Sequence, residues 1–494
     1  MPYPHILHHG AIDGVTGSCH QLMMDAHSSL LIDCGLFQGS DQNEASGEIT
    51  FSLQGVDALV VTHVHADHVG RIPYLLAAGF KGPIICSEPS AKLLPLVLED
   101  AFKLEFSRDA RTVQRYLQQV RRQIIAIPFD QWFCVSESPA LHASIRLQQA
   151  GHILGSAFVE CDVRDLKTGT DQRIVFSGDL GATHAALIAS PRSPERADIL
   201  ILEGTYGDRL HEDREKRQAL LEHAIDKALE DHGTILIPAF SIGRTQDLLY
   251  EIEDILHRKS LVSPKKECEG SDESSPINWP QVPVIIDSPL ASRLTEVYRE
   301  LETFWSANAQ QRVSSGRKPL HFRQLITIDS HAKHKQTVNY LSSTGRPAIV
   351  IAANGMCSNG RIVNYLKAML GDPRHNVLFI GYQARGTPGY AIQKYGPDKG
   401  YVELDGETCS IRAGITTLGG YSAHADQSGL LSFVSGMHSW PRQIQLVHGE
   451  ISAKQALARE LTKLYATQNL PIDVLIPTSD PQPALQSQQL YRQR

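Results

Sequence analysis

Apolar positions along this chain fall into two textures that change near Arg209. Before that point they form short runs broken by glycine turns, such as Ala58-Leu59-Val60-Val61 and Ile174-Val175-Phe176, together with the alternating Ile145-Arg146-Leu147-Gln148. Short apolar runs bounded by turn residues predict buried strands, and alternation predicts a strand with one face in water. After Arg209 the apolar runs alternate with helical stretches. Thr234-Ile235-Leu236-Ile237-Pro238 precedes a helix through 246–250, Val284-Ile285-Ile286-Asp287 one through 295–298, and Ala348-Ile349-Val350-Ile351 one through 362–366; Val377-Leu378-Phe379-Ile380 adds a further strand. That alternation predicts a parallel-sheet α/β unit. Two further strands, ending at Val447 and Pro477, close the chain. The expected division is residues 1–208 and 418–494 as two parts of one domain, with 209–417 inserted between them.

The ends of the predicted strands carry the chemistry. Thr62-His63-Val64-His65-Ala66-Asp67-His68 follows the run at 58–61 directly and packs four side chains able to bind a borderline metal into one short loop. The spacing is that of a two-zinc hydrolase centre. A purely structural alternative makes 67–76 a helix and Asp67 its N-terminal cap. Further along come His152 in Gly151-His152-Ile153-Leu154-Gly155, Asp179 after the strand at 174–176, and Glu203 after Leu200-Ile201-Leu202. His424 in Ser422-Ala423-His424-Ala425-Asp426 and His448 after Leu446-Val447 complete the series. Each alone reads more readily as a satisfied loop histidine or a turn-capping carboxylate than as a ligand; their order along the chain carries the signal.

On these residues the chain resembles the metallo-β-lactamase-fold nucleases of the β-CASP group, and within it the bacterial relatives of the nuclease subunit of the eukaryotic pre-mRNA 3′-end cleavage complex. The likeness runs from Thr16-Gly17-Ser18-Cys19-His20 and Leu31-Ile32-Asp33-Cys34-Gly35 to the His448 motif. It implies an α/β fold, a metallo-β-lactamase αββα sandwich with an inserted parallel-sheet α/β β-CASP domain, and a cleft between the two that admits single-stranded RNA. It implies two Zn2+ per chain, one held by His63, His65 and His152 and the other by Asp67, His68 and His448, with Asp179 shared. Asp33 would orient the ligand loop, and Glu203, His424 and His448 match the three β-CASP motifs. Histidine at the third motif resembles the RNA-acting members; DNA-acting members typically carry valine there. Departures from the family pattern occur at Gly204, Asn354 and Asn364-Tyr365.

Composition narrows the picture further. With 494 residues and 42% hydrophobic content the chain can bury more than one core. No apolar stretch reaches the roughly 18 residues that span a bilayer, and the first residues lack the blocks of a signal peptide. The 8 cysteines are scattered without a CxxC pair, which predicts reduced thiols in cytoplasm. A net charge of −7 argues against a protein that coats nucleic acid nonspecifically, but a phosphodiesterase can be acidic overall when a few local cations face the substrate. The basic stretch from Arg108 to Arg122 reads as a solvated helix face. Homodimerisation through the lactamase-like domain is left open, and 263–275, rich in serine, lysine and acids, is expected to be an exposed mobile loop.

Three loops after the inserted strands combine glycine with arginine or hydroxyl groups, and from them Ser241, Arg244, Arg361, Arg385 and Thr387 are expected to contact RNA phosphates. Tight strand-to-helix turns use the same residues for geometry alone. The residues suit in-line phosphodiester hydrolysis in which Asp67 belongs to the catalytic group and His424, oriented by Glu203, protonates the leaving O3′. The expected activity is that of a ribonuclease, endonucleolytic with 5′-to-3′ exonuclease action as an addition. A noncatalytic RNA-binding protein and a small-substrate metallo-hydrolase are the competing readings.

Overall fold

The computed structural model describes residues 3–38, 41, 47–183, 185–211, 216–230, 232–262, 281–381 and 383–478. The 263–275 stretch lies outside the described residues. A first sheet runs in the order His5–Gly10, Cys19–Met23, Ser29–Ile32, Val56–Val60, Ile84–Ser87 and Ile124–Ile127, antiparallel over its first pairs and parallel from Ser29–Ile32 onward. A second, seven-stranded sheet faces it, and the core between them is built from Leu22, Ile32, Val60, Ile145, Val159, Phe176, Ile201 and Val447. Helices cover both outer faces. Glu88–Glu105 and Ala110–Gln123 pack on the first sheet, and Gln427–Ser435 and Ile451–Thr467 on the second. The αββα sandwich is therefore present.

The second sheet joins distant parts of the chain. Ile199–Glu203 pairs in parallel with both Asp171–Phe176 and Gln443–Val447, so Glu203 sits directly across from Val447. The residues between these strands form a third sheet, all parallel, in the order Leu325–Thr327, Val284–Asp287, Ala348–Ala352, Thr234–Pro238, Asn376–Phe379 and Gly414–Thr417. Its strands Val284–Asp287, Ala348–Ala352 and Thr234–Pro238 are buried on both faces, as parallel strands covered by helices must be. Tyr298 seals it to the sandwich: its hydroxyl accepts from Leu154 N at 3.3 Å.

One local reading changes on folding. The stretch expected to be one helix from Asp67 is two, Ala66–Val69 and Ile72–Ala77. The N-cap is His65, in an extended conformation and without a capping hydrogen bond, so Asp67 lies inside the first turn and caps nothing. The basic stretch is a solvated face. Ala110–Gln123 buries Val113, Tyr116, Leu117 and Val120 and turns Arg111, Arg115, Arg121 and Arg122 to water. No helix among the described residues is long and apolar enough to cross a membrane.

Candidate metal centre

The motif at 62–68 is shaped by the strand beside it. Ser29–Ile32 pairs in parallel with Val56–Val60, which brings Asp33, at φ +60°, next to Thr62. Asp33 Oδ1 accepts from Thr62 N at 2.8 Å, and Oδ2 accepts from Thr62 Oγ1 and pairs with His68 Nδ1, both at 2.7 Å. The chain after Asp33 then lies flat against the motif, with Cys34 N donating to His68 O and Leu36 N to Ala66 O. Only glycine fits at position 35, where a Cβ would stand 1.5 Å from Asp67 O. The loops that carry His152 and Asp179 interlock in the same way, since a Cβ on Gly181 would meet Gly151 O at 1.9 Å.

These loops converge on the two oxygens of Asp179. His63 Nε2 and His152 Nε2 each lie 3.6 Å from Oδ2, and both lie close to His65 Nδ1, at 3.0 and 3.1 Å. His68 Nε2 and His448 Nε2 each lie 3.2 Å from Oδ1, with Asp67 Oδ2 4.0 Å from His68. The partly buried His424 comes within 4.8 Å of Asp179 and His448, and the structure forms two nests, His63–His65–His152–Asp179 and Asp67–His68–His448, with donor atoms equally close in each. Within the nests all are buried except His65 and Asp67, which are partly so.

Polar satisfaction separates this cluster from ordinary structure. Buried polar groups nearly always find a hydrogen-bond partner. Here His65 Nε2, His68 Nε2, His152 Nδ1, Asp179 Oδ1 and both nitrogens of His448 have none. Burial holds His63 and His152 well below the ordinary imidazole value and pushes His65 down to about 4, so these rings are neutral with lone pairs free to bind. Burial works the same way on His68, but Asp179 and Asp33 facing it hold it well above the usual value. Asp179 stays far below the usual carboxylate range, because His448, His68 and other imidazoles around it outweigh its burial. Imidazole nitrogens around a shared carboxylate are the donor set of a borderline divalent cation such as zinc, and the residues present fit that group.

Beside the nests stands a pair built from two distant segments. Glu203, at the end of its strand, accepts from Leu180 N at 2.5 Å and from Thr205 Oγ1 at 2.7 Å, and His424 Nδ1 lies 3.0 Å from its Oε2. Burial lowers the His424 pKa, yet Glu203 and Asp179 together hold it above the ordinary value. At 19% side-chain exposure it is more open than His63, His68, His152 and His448. A cleft near it is lined by His152, Ala423, Tyr421, Arg217, Arg244 and Glu251.

The five residues expected on RNA fare differently. Arg385 is exposed and makes no hydrogen bond or ion pair among the described residues. Arg244 lines the cleft and is paired with Asp247. Ser241 Oγ lies 3.1 Å from Ser288 Oγ, and Thr387 caps the helix Pro388–Tyr395 by accepting from Tyr390 N. Arg361 turns inward onto Asp287 and Ile328 O, each at 2.6 Å. The departures from the family pattern have local reasons. Gly204 packs against Lys454, whose Cγ would stand 2.8 Å from a Cβ, while Asn364 reaches His334 and Tyr365 reaches Asp287. Sequence reasoning passed over Thr62, Thr205 and His334. Thr62 and Thr205 adjoin motif residues, which was a usable signal; His334 had none.

Comparison with known proteins agrees with this architecture. Residues 22–238 match the metallo-beta-lactamase superfamily, 245–392 the Beta-Casp domain and 408–477 the Zn-dependent metallo-hydrolase RNA specificity domain. The chain is 34% identical over 455 residues to Ribonuclease TTHA0252 of Thermus thermophilus, covering 92% of this chain and 94% of that protein. It is 28% identical to Transcription termination factor FttA of Methanococcus maripaludis over 449 residues, which is 89% of this chain and 66% of FttA. With FttA of Methanosarcina mazei it shares 28% over 469 residues, 92% of this chain and 68% of that one. A sandwich, an inserted parallel sheet and a His/Asp cluster built to take up metal thus coincide with relatives along nearly the whole chain, and the chain belongs to the β-CASP family of metallo-β-lactamase-fold, metal-dependent hydrolases.

Proposed function

We propose that this chain is a zinc-dependent ribonuclease that hydrolyses phosphodiester bonds of single-stranded RNA, endonucleolytically and with 5′-to-3′ exonuclease action from an open end. The observation that carries this reading is the division of the Asp179 oxygens between two histidine nests, with the His424–Glu203 pair beside them. The name of the Thermus thermophilus relative and the RNA specificity domain support RNA as substrate. In this reading His63, His65 and His152 hold one zinc ion, Asp67, His68 and His448 a second, and Asp179 is shared. When bound, the two ions supply Lewis acidity to the phosphoryl oxygens and acidify the attacking water.

The chain's own groups do the rest. Asp33 holds His68 and Thr62 from behind, so the ligand loop keeps its shape without help from the substrate. His424 is steered through Nδ1 by Glu203, and its Nε2 proton is given to the departing O3′, leaving a 3′-hydroxyl on one fragment and a 5′-phosphate on the other. Arg385 and Arg244, with Ser241, Thr387 and Arg361 shaping their loops, meet the backbone phosphates in the cleft. The same reading divides the chain at 208/209 and 417/418 and places it in the cytoplasm. Free cysteines at all seven described positions support the latter.

Purified protein incubated with labelled single-stranded RNA, matched DNA, a lactam and a thioester tests the reading. Cleavage of RNA alone, ended by chelation and giving 3′-hydroxyl and 5′-phosphate ends, is the expected result. Turnover of the lactam or thioester without RNA cleavage defeats it. His424→Ala is expected to slow cleavage by about 10²–10⁴-fold with zinc content unchanged; full cleavage with an unaltered pH profile removes the proton-donor role.

A further inference from the structure

A chain of polar side chains runs through the apolar layer between the two sheets of the sandwich toward the back of the candidate metal centre. His8 and His20 are register partners on the antiparallel strands His5–Gly10 and Cys19–Met23, and their Nδ1 atoms lie 2.9 Å apart. His8 Nε2 lies 2.7 Å from Gln445 Oε1, on the strand that ends just before His448. Gln445 donates its amide N–H to Gln443, so Oε1 is the acceptor toward His8. His8 Nε2 must then carry a proton, and in a neutral ring that leaves Nδ1 to accept. His20 Nδ1 is therefore the donor, and His20 Nε2 keeps its lone pair, with no hydrogen bond among the described residues. Burial pushes His8 down to about 4 and His20 well below the ordinary value, which keeps both rings neutral.

The other end of the gap is His448. Its Nε2 faces Asp179, while its Nδ1 is buried without a partner. His20 and His448 are 4% and 2% exposed, and both line one cavity of about 20 Å³ whose wall is part polar, with Asp33, Thr62, His68 and Asp179, and part apolar, with Ile32, Phe176 and Val447. That volume admits one water where polar groups such as these face it. His68 needs no such help, because Asp33 already fixes its Nδ1. A histidine that ligates a metal donates its other ring N–H to an acceptor that sets its tautomer and orientation.

We propose that His20 is a positioning residue for the metal centre: a water in this cavity accepts from His448 Nδ1–H and donates to His20 Nε2, so that Gln445, His8 and His20 fix the His448 tautomer that presents Nε2 to zinc. The proposal deepens the reading of His448 as a zinc ligand and rests on it. Each hydrogen bond in the chain points one way, from His448 through water, His20 and His8 to the Gln445 amide oxygen. Removing the acceptor at position 20 leaves His448 Nδ1–H unsatisfied in the bound state and frees the ring to turn.

Zinc affinity, measured by competition with a chromophoric chelator on the full chain, tests this without reference to activity. His448→Ala identifies which of the two sites depends on that residue. His20→Leu is expected to weaken that same site by about 10–100-fold and to spare the other. His20→Gln, whose amide oxygen can still accept, is expected to restore most of the loss. His8→Leu, which removes the group that orients His20, is expected to act in the same direction and serves if His20→Leu does not fold. Unchanged affinity in these variants, or an equal loss at both sites, overturns the proposal. Wild-type protein that takes up no zinc overturns the functional reading along with it, whereas two zinc ions bound equally well by wild type and His20→Leu overturn this step alone.

Discussion

Asp179 in the metal centre and Asp287 in the inserted sheet are both buried aspartates at the C-terminal end of a strand, each with histidine at its carboxylate. Their surroundings differ in one respect. Asp287 Oδ2 meets His334 Nδ1 at 2.8 Å and Tyr365 Oη at 2.5 Å, its Oδ1 takes Arg361, and His334 Nε2 is met in turn by Asn364 at 2.9 Å. Every partner is protein. Asp179 Oδ1 accepts no hydrogen bond, and several imidazole nitrogens around it are equally bare. A closed network of this kind stabilises and orders a fold, while an open one is poised for a cation. Residue type and placement on a strand therefore do not distinguish a structural carboxylate from a ligand; the count of satisfied lone pairs does.

The largest expected effect is at the open site. Asp179→Asn is expected to lower RNA cleavage by at least about 10³-fold and to reduce bound zinc, while lowering the chelated protein's thermal midpoint less than Asp287→Ala does. Measuring metal content and melting side by side checks this, and a large loss of stability in chelated protein would erase the contrast with Asp287. Asp287→Ala should do the reverse. It strands the Arg361 guanidinium and is expected to cost about 3–5 kcal/mol in denaturant unfolding, with zinc stoichiometry retained in whatever remains folded. Loss of zinc from folded Asp287→Ala would couple the two regions and break the comparison.

Smaller changes sharpen it. Tyr365→Phe removes one charge-directed hydrogen bond and is expected to cost about 1.5–3 kcal/mol by the same unfolding measurement, leaving cleavage of RNA by the folded protein intact. Arg385→Ala touches neither network. Its expected effect is a few-fold weaker RNA binding at low salt with a shallower salt dependence, read by titration at several salt concentrations, and no change in stability. An Arg385→Ala variant that binds RNA like wild type at every salt concentration would remove that residue from the substrate path.

Much of the fold, and the residues that gather in the candidate metal centre, could be read from the chain. The short strands before Arg209 and the strand-helix alternation after it follow from apolar periodicity, and the strands at 174–176, 234–238, 284–287 and 348–351 lie where that pattern puts them. The 62–68 motif was legible because its histidines and aspartate are local to one strand end. The loops expected to bind phosphates were harder to read, since glycine, serine, threonine and arginine serve turn geometry and anion binding alike. Thr387 and Arg361 turned out to be engaged inside the protein.

What the sequence by itself determined is the set of donor residues, their order, and the strands that present them, because periodicity and short-range spacing are properties of neighbours in the chain. What only the tertiary structure decided is which atoms are left without partners. Asp179 is open and Asp287 closed, His68 is held by Asp33 while His448 Nδ1 is buried without a partner, and His20 and His448 line one cavity. The physical reason is that hydrogen-bond satisfaction depends on groups brought in from remote segments, and no pattern along one segment records whether they arrive.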